Sequence, residues 1–110
     1  MPDAEGHPDP QEMELRTVLH ALSDRRRYEV VSRLTREPEG TERHCTSFGL
    51  PVSKSTRSHH FRVLREAGLI RQTDRGNSRM ATLRTTDLEA RFPGLIDLIR
   101  NNPAELPGLV

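Results

Sequence analysis

The chain has 110 residues, a net charge of +1, 33% hydrophobic residues and four aromatic ones. That length fits one domain with a small core. It predicts a dimer that shares apolar surface, because so small a core is marginal alone. No run of about 18 apolar residues exists to cross a membrane, residues 1–10 lack a basic-then-apolar signal pattern, and Cys45 has no second cysteine with which to bridge. The expected setting is therefore the cytoplasm.

Residues 1–10 hold three prolines, one glycine and three acids, and predict a disordered acidic leader. A helical period begins near Glu12, with Met13, Val18, Leu19 and Leu22 spaced by about three and four. Ser23 or Asp24 can cap a second helix, whose apolar stripe is Tyr28, Val30, Val31 and Leu34; it ends before Pro38. Residues 42–49 predict a third helix of about two turns. The Gly49-Leu50-Pro51-Val52 stretch is a turn, since proline blocks helix continuation.

Ser53 can cap a fourth helix that runs to about Ala67. Its core stripe is His60/Phe61, Val63/Leu64 and Ala67, and Gly68 stands at the C-cap. Residues 69–73 and 78–84 predict two strands joined at Gly76-Asn77. Thr86 or Asp87 then caps a short helix through Arg91. Pro93 opens a last helix carrying Leu95, Ile96, Leu98 and Ile99, which Asn101-Asn102-Pro103 stops. The predicted fold is mainly α with a small β-hairpin: a winged helix-turn-helix over residues 11–101, followed by a flexible tail at 102–110.

Charge is unevenly placed. Residues 43–84 hold Arg43, Lys54, Arg57, Arg62, Arg65, Arg71, Arg75, Arg79 and Arg84 against Glu66 and Asp74, a balance of +7. The remaining residues balance at −6. A basic block in an acidic frame suits a polyanion, and a helix followed by a basic hairpin suits duplex DNA. On the fourth helix Lys54, Ser55, Ser58, His59 and Arg62 share one face, opposite Phe61 and Leu64. Hydroxyls and imidazole can read base edges there, while Lys and Arg hold phosphate or guanine. Thr56 flanks this face and can touch a phosphate; Arg57 can do the same or pack its stem. Arg75, Asn77 and Arg79 at the hairpin tip are candidates for backbone or minor-groove contact. A solvated arginine-rich surface is the bland alternative.

His60 lies on the core side and predicts packing or a backbone hydrogen bond. Adjacent His59 and His60 diverge by about 100° on a helix and have no acid or thiol suitably placed, so no metal or cofactor is expected. Arg25-Arg26-Arg27 at a helix start either meets a phosphate or pairs with Asp24 or Glu29. Cys45, beside His44 near a helix start, is either core filler, a low-pKa redox sensor or one ligand of a shared metal site.

Two stretches carry a resemblance. Val18-Leu19-His20-Ala21-Leu22-Ser23-Asp24, with Arg27, is similar to the "LALSDPTR" entry of ArsR-type bacterial repressors, with Arg25 where proline is usual. Residues 55–70, with their Ser/Thr cluster and Leu64-Arg65-Glu66-Ala67-Gly68-Leu69-Ile70 exit, resemble that family's recognition helix and wing. The resemblance spans roughly residues 12–100. It implies a dimeric winged helix that represses transcription until a metal or another effector relieves it. Where metal-sensing members carry a Cys-x-Cys box, this chain has Cys45 alone. The last helix, residues 87–102, has no histidine, and the turn at residues 50–54 is about two residues longer than usual.

The expected function is thus a sequence-specific, double-stranded DNA-binding regulator. It would be a repressor bound as a homodimer to an inverted repeat, with Val18, Leu19, Leu22, Leu95, Leu98 and Ile99 at the dimer interface. The alternative is a winged-helix protein-interaction module. No nucleophile–base–acid set or phosphate-cradling glycine loop points to an enzyme.

Overall fold

Caps and apolar spacing decide where the helices start and stop. The computed structural model describes residues 1–104. Helix α1 spans Leu15–Leu22 and α2 spans Arg25–Thr35. The Asp24 carboxylate caps α2, accepting from the backbone N–H groups of Arg26 and Arg27 at 2.8 and 3.1 Å. That cap offsets three cations at the positive end of a helix. Arg27 is buried: its Nε donates to Ala21 O at 2.8 Å and its guanidinium to His60 Nδ1 at 3.1 Å.

The spacing predicts a helix over residues 42–49, and here the chain differs. Arg43–His44 forms strand β1, and Cys45–Phe48 forms a short 3-10 helix. Eight residues bounded by a glycine are too few to sustain an α-helix by themselves. Arg43 and His44 pair instead with Ala81 and Met80 of a strand far along the chain. Cys45 and Phe48, three apart, share the buried side of a three-residue turn. The Phe48 ring centroid stands 5.8 Å from that of Phe61, and the Arg43 guanidinium lies over the Phe48 ring, 4.6 Å from its centroid. The aromatic pair fastens the 3-10 helix to the next element.

That element, α3, spans Lys54–Ala67. Ser53 Oγ accepts from Thr56 N–H at 3.2 Å, and Gly68 ends the helix at φ +93°. A side chain at Gly68 would be strained by that φ, and its Cβ would stand 2.7 Å from the Met13 side chain. Strands β2, Ile70–Asp74, and β3, Arg79–Leu83, form the wing, with Ile70 opposite Leu83 and Asp74 opposite Arg79. The antiparallel sheet has the order β1-β3-β2. Helix α4, Thr85–Arg91, starts one residue ahead of the expected cap, and α5 is Leu95–Arg100. α5 packs on α2, where Arg100 Nε donates to Thr35 O at 3.0 Å. Val18, Val30, Val31, Phe48, Phe61, Leu64, Leu69, Ile70 and Leu88 form the core between the helices and the sheet.

The expected disordered leader also differs. Residues 1–10 lie against the wing, anchored by His7, which is 4% exposed. His7 Nε2 accepts from Gln72 N–H at 3.0 Å, so its proton sits on Nδ1 and faces Asp3 Oδ2 at 2.9 Å. Pro8 O accepts from buried Arg84 at 2.8 Å. Polar composition predicts disorder only where no partner exists, and here a sheet edge supplies one. The expected tail, residues 102–110, falls mostly outside the described residues.

Candidate nucleic-acid interface

α3 turns one polar face outward. Lys54, Ser55, Thr56, Ser58, His59 and Arg62 are all exposed, while His60, Phe61 and Leu64 face the core. A shallow hollow along that face is lined by Lys54, Ser55, Ser58, His59, Arg62 and Arg65. Lys54 and Arg62 are eight residues apart, about 12 Å along the helix axis, so the polar face runs for about two turns of a helix that a B-DNA major groove can admit. Arg62 also approaches His59 Nδ1 at 3.4 Å, which orients both side chains on one ridge.

The wing carries Arg75, Asn77 and Arg79, all exposed as well. Its cations are not free, however. Arg75 makes a two-pronged pair with Glu42, at 2.6 and 3.3 Å, which lowers the Glu42 carboxyl below its usual range. Arg79 stands 3.8 Å from Glu5, and Arg71 stands 3.9 Å from Asp3. The backbone N–H of His7, followed by its imidazole, holds Asp3 down to about 2, so that carboxylate stays charged. Arg84, 7% exposed, binds Asp87 at 2.9 and 3.1 Å. Arg43 clamps the 3-10 helix through Ser47 and Glu37. The basic block therefore divides: its hairpin cations meet acids of the frame, whereas Lys54, Arg57, Arg62 and Arg65 on α3 face no carboxylate within ion-pair distance among the described residues.

Three side chains need correction. The sequence allows a lowered Cys45 thiol; instead, burial pushes it up, against smaller opposite effects from Gln72, Arg79 and Arg57. Gln72 Nε2 donates to its sulfur at 3.5 Å. Val18 and Ile99, expected at a dimer interface, are 0% and 3% exposed and belong to the chain's own core. Leu22 and Leu95 are half-buried against that core, while Leu19 and Leu98 are 51% and 62% exposed, and Leu15, which the periodicity had not singled out, is 48% exposed. Arg57 and Arg65 complete the basic side of α3. Arg65 recurs three residues after Arg62, a spacing that the sequence displays.

A helix pinned by a short preceding helix, presenting one polar cationic face beside a hairpin, is the geometry of a winged helix-turn-helix. Residues 46–72, which run from the 3-10 helix through α3 into β2, match the model of the arsR family of bacterial regulatory proteins. The chain is also 30% identical over 84 residues to YceK of Bacillus subtilis strain 168, described as an uncharacterized HTH-type transcriptional regulator; the match covers 74% of this chain and 82% of that protein. The chain belongs to the ArsR family. It is a DNA-binding transcriptional regulator and not an enzyme. Among the described residues, no group of three or more His, Cys, Asp or Glu side chains is placed to hold a metal, and no helix is long and apolar enough to cross a membrane. ArsR-type sensing through a cysteine box has no counterpart around Cys45, whose neighbours are Gln72 and the Phe48 layer.

Proposed function

We propose that the chain is a homodimeric repressor in the cytoplasm that reads an inverted-repeat operator through α3. One observation carries this reading: every candidate reading residue on α3 is exposed on a single face, whose cations make no ion pair among the described residues, while the opposite face is core. Ser55, Ser58 and His59 read base edges; Lys54, Thr56 and Arg62 fix the helix in the groove; Arg75, Asn77 and Arg79 reach the flanking backbone. For the wing, Arg75 and Arg79 exchange Glu42 and Glu5 for phosphate. Two copies meet through Leu15, Leu19 and Leu98, the large apolar side chains that the fold leaves exposed on α1 and α5. Cys45 serves as a packing residue.

Selection of bound fragments from random duplex DNA tests this. The expected product is a palindromic site whose half-sites are one helical turn apart, about 34–36 Å. Recovery of no enriched sequence would overturn the reading.

A further inference from the structure

Between α3 and the wing lies a cleft of about 380 Å³, within the range of small-ligand sites. Lys54, Arg57, Arg65 and Arg79 line it, and none of its lining residues is acidic. Phe61 and Cys45, both buried, also line it. Like charges gathered in one concavity repel each other, and low-dielectric walls focus their field outward. The folded chain does little to relieve this. Arg57 has no ion-pair partner among the described residues. Arg65 donates to the neutral Gln72 Oε1, and its Nε is buried with no acceptor among the described residues. Among the described residues Arg79 meets only Glu5, at 3.8 Å. The hydroxyls of Ser58 and Ser78 and the amide of Asn77 add neutral donors to the same walls. Planar guanidinium forks that share a cleft with hydroxyl donors suit the tetrahedral oxygens of a phosphoryl group.

We propose that this cleft is a phosphoryl-binding site, in which Arg57, Arg65 and Arg79 hold the oxyanion and Lys54 adds charge. The proposal rests on the reading that α3 and the wing face DNA. The same chemistry has two sources. One is a backbone phosphate of the duplex, clamped where the strand passes from recognition helix to wing. The other is a free phosphorylated small molecule, which then competes with the duplex and acts as an inducer.

Two measurements on the full chain separate these sources. The first is calorimetric titration of the DNA-free protein with inorganic pyrophosphate. The second is the salt dependence of binding to the selected duplex. Both compare wild type with Arg57→Ala, Arg79→Gln and the control Arg16→Ala on α1, with thermal melts confirming that each variant folds. Saturable pyrophosphate binding that Arg57→Ala and Arg79→Gln each weaken about tenfold or more, that Arg16→Ala spares, and that displaces duplex supports the free anion. Absence of saturable binding, with the log–log salt slope reduced by about 0.9 in Arg57→Ala, supports the backbone phosphate. The cleft proposal is overturned if neither quantity changes, or if Arg16→Ala weakens pyrophosphate binding as much as Arg57→Ala does. Arg62 does not line the cleft, so failure of Arg62→Ala to weaken duplex binding would count against the groove reading instead.

Discussion

His60 shows how one residue links the reading helix to stability. It sits 8% exposed on α3, accepts from Arg27 at 3.1 Å and stands 4.0 Å from Asp24. Burial is the largest influence and lowers its pKa; Asp24 opposes this, while Arg27, His59 and Arg26 reinforce it. The unfolded chain therefore takes up this proton first as pH falls. The contribution of His60 to stability is full above about pH 6.5 and is lost as pH drops through the lower folded-state value. Thermal melts from about pH 7.5 to pH 5 should show Tm falling more steeply for wild type than for His60→Gln, in which an amide oxygen can still accept from Arg27. Parallel curves would exclude His60 as the titrating group. Its core-side placement is visible in the sequence from the α3 stripe. Its partner Arg27 is not, because helical spacing says nothing of a contact between two helices.

At the scale of elements, the acidic arm is the part that alters the electrostatics most. Asp3 and Glu5 place two carboxylates beside wing arginines, with His7 as the anchor. These are exposed pairs, individually weak and weaker still as salt rises. Asp3→Asn with Glu5→Gln should therefore tighten duplex binding about two- to tenfold at low ionic strength, with the gain shrinking in high salt. Equal or weaker binding by the double variant, measured by fluorescence anisotropy, would show that the arm does not compete with phosphate.

Elements built from local spacing and caps are legible in the sequence, and those built from distant contacts are not. α2 and α3 are legible because Asp24, Ser53 and Gly68 punctuate them and their apolar residues keep a helical period. The hairpin is legible because Gly76-Asn77 separates two short runs. Strand β1 is not, since two residues have no period and their partners, Ala81 and Met80, lie 38 and 36 positions away. The arm is hidden for the same reason: His7 finds Gln72 across 65 residues. The outward face of α3 could be read from periodicity, whereas the pairing of Arg75 and Arg79 with frame acids depends on tertiary contact.

Over the whole molecule, the charge asymmetry of the sequence becomes a division of labour. Frame acids pair with the hairpin cations, whereas the α3 cations make no ion pair among the described residues. The fold leaves Leu19 and Leu98 more than half exposed in a chain poor in apolar residues. Leu19→Arg with Leu98→Arg should convert a dimer to a folded monomer in sedimentation equilibrium, since neither side chain belongs to the core. A wild-type chain that sediments as a monomer at micromolar concentration would remove the proposed two-fold arrangement.

In the proposed complex, duplex DNA lies against the exposed face of α3. Titration of the selected duplex with wild type and Arg62→Ala, followed by fluorescence anisotropy over a series of salt concentrations, tests it most directly. Removing Arg62 should cost about 1–3 kcal/mol, a loss of roughly 5- to 150-fold in affinity. An Arg62→Ala protein with the affinity and salt slope of wild type would contradict it.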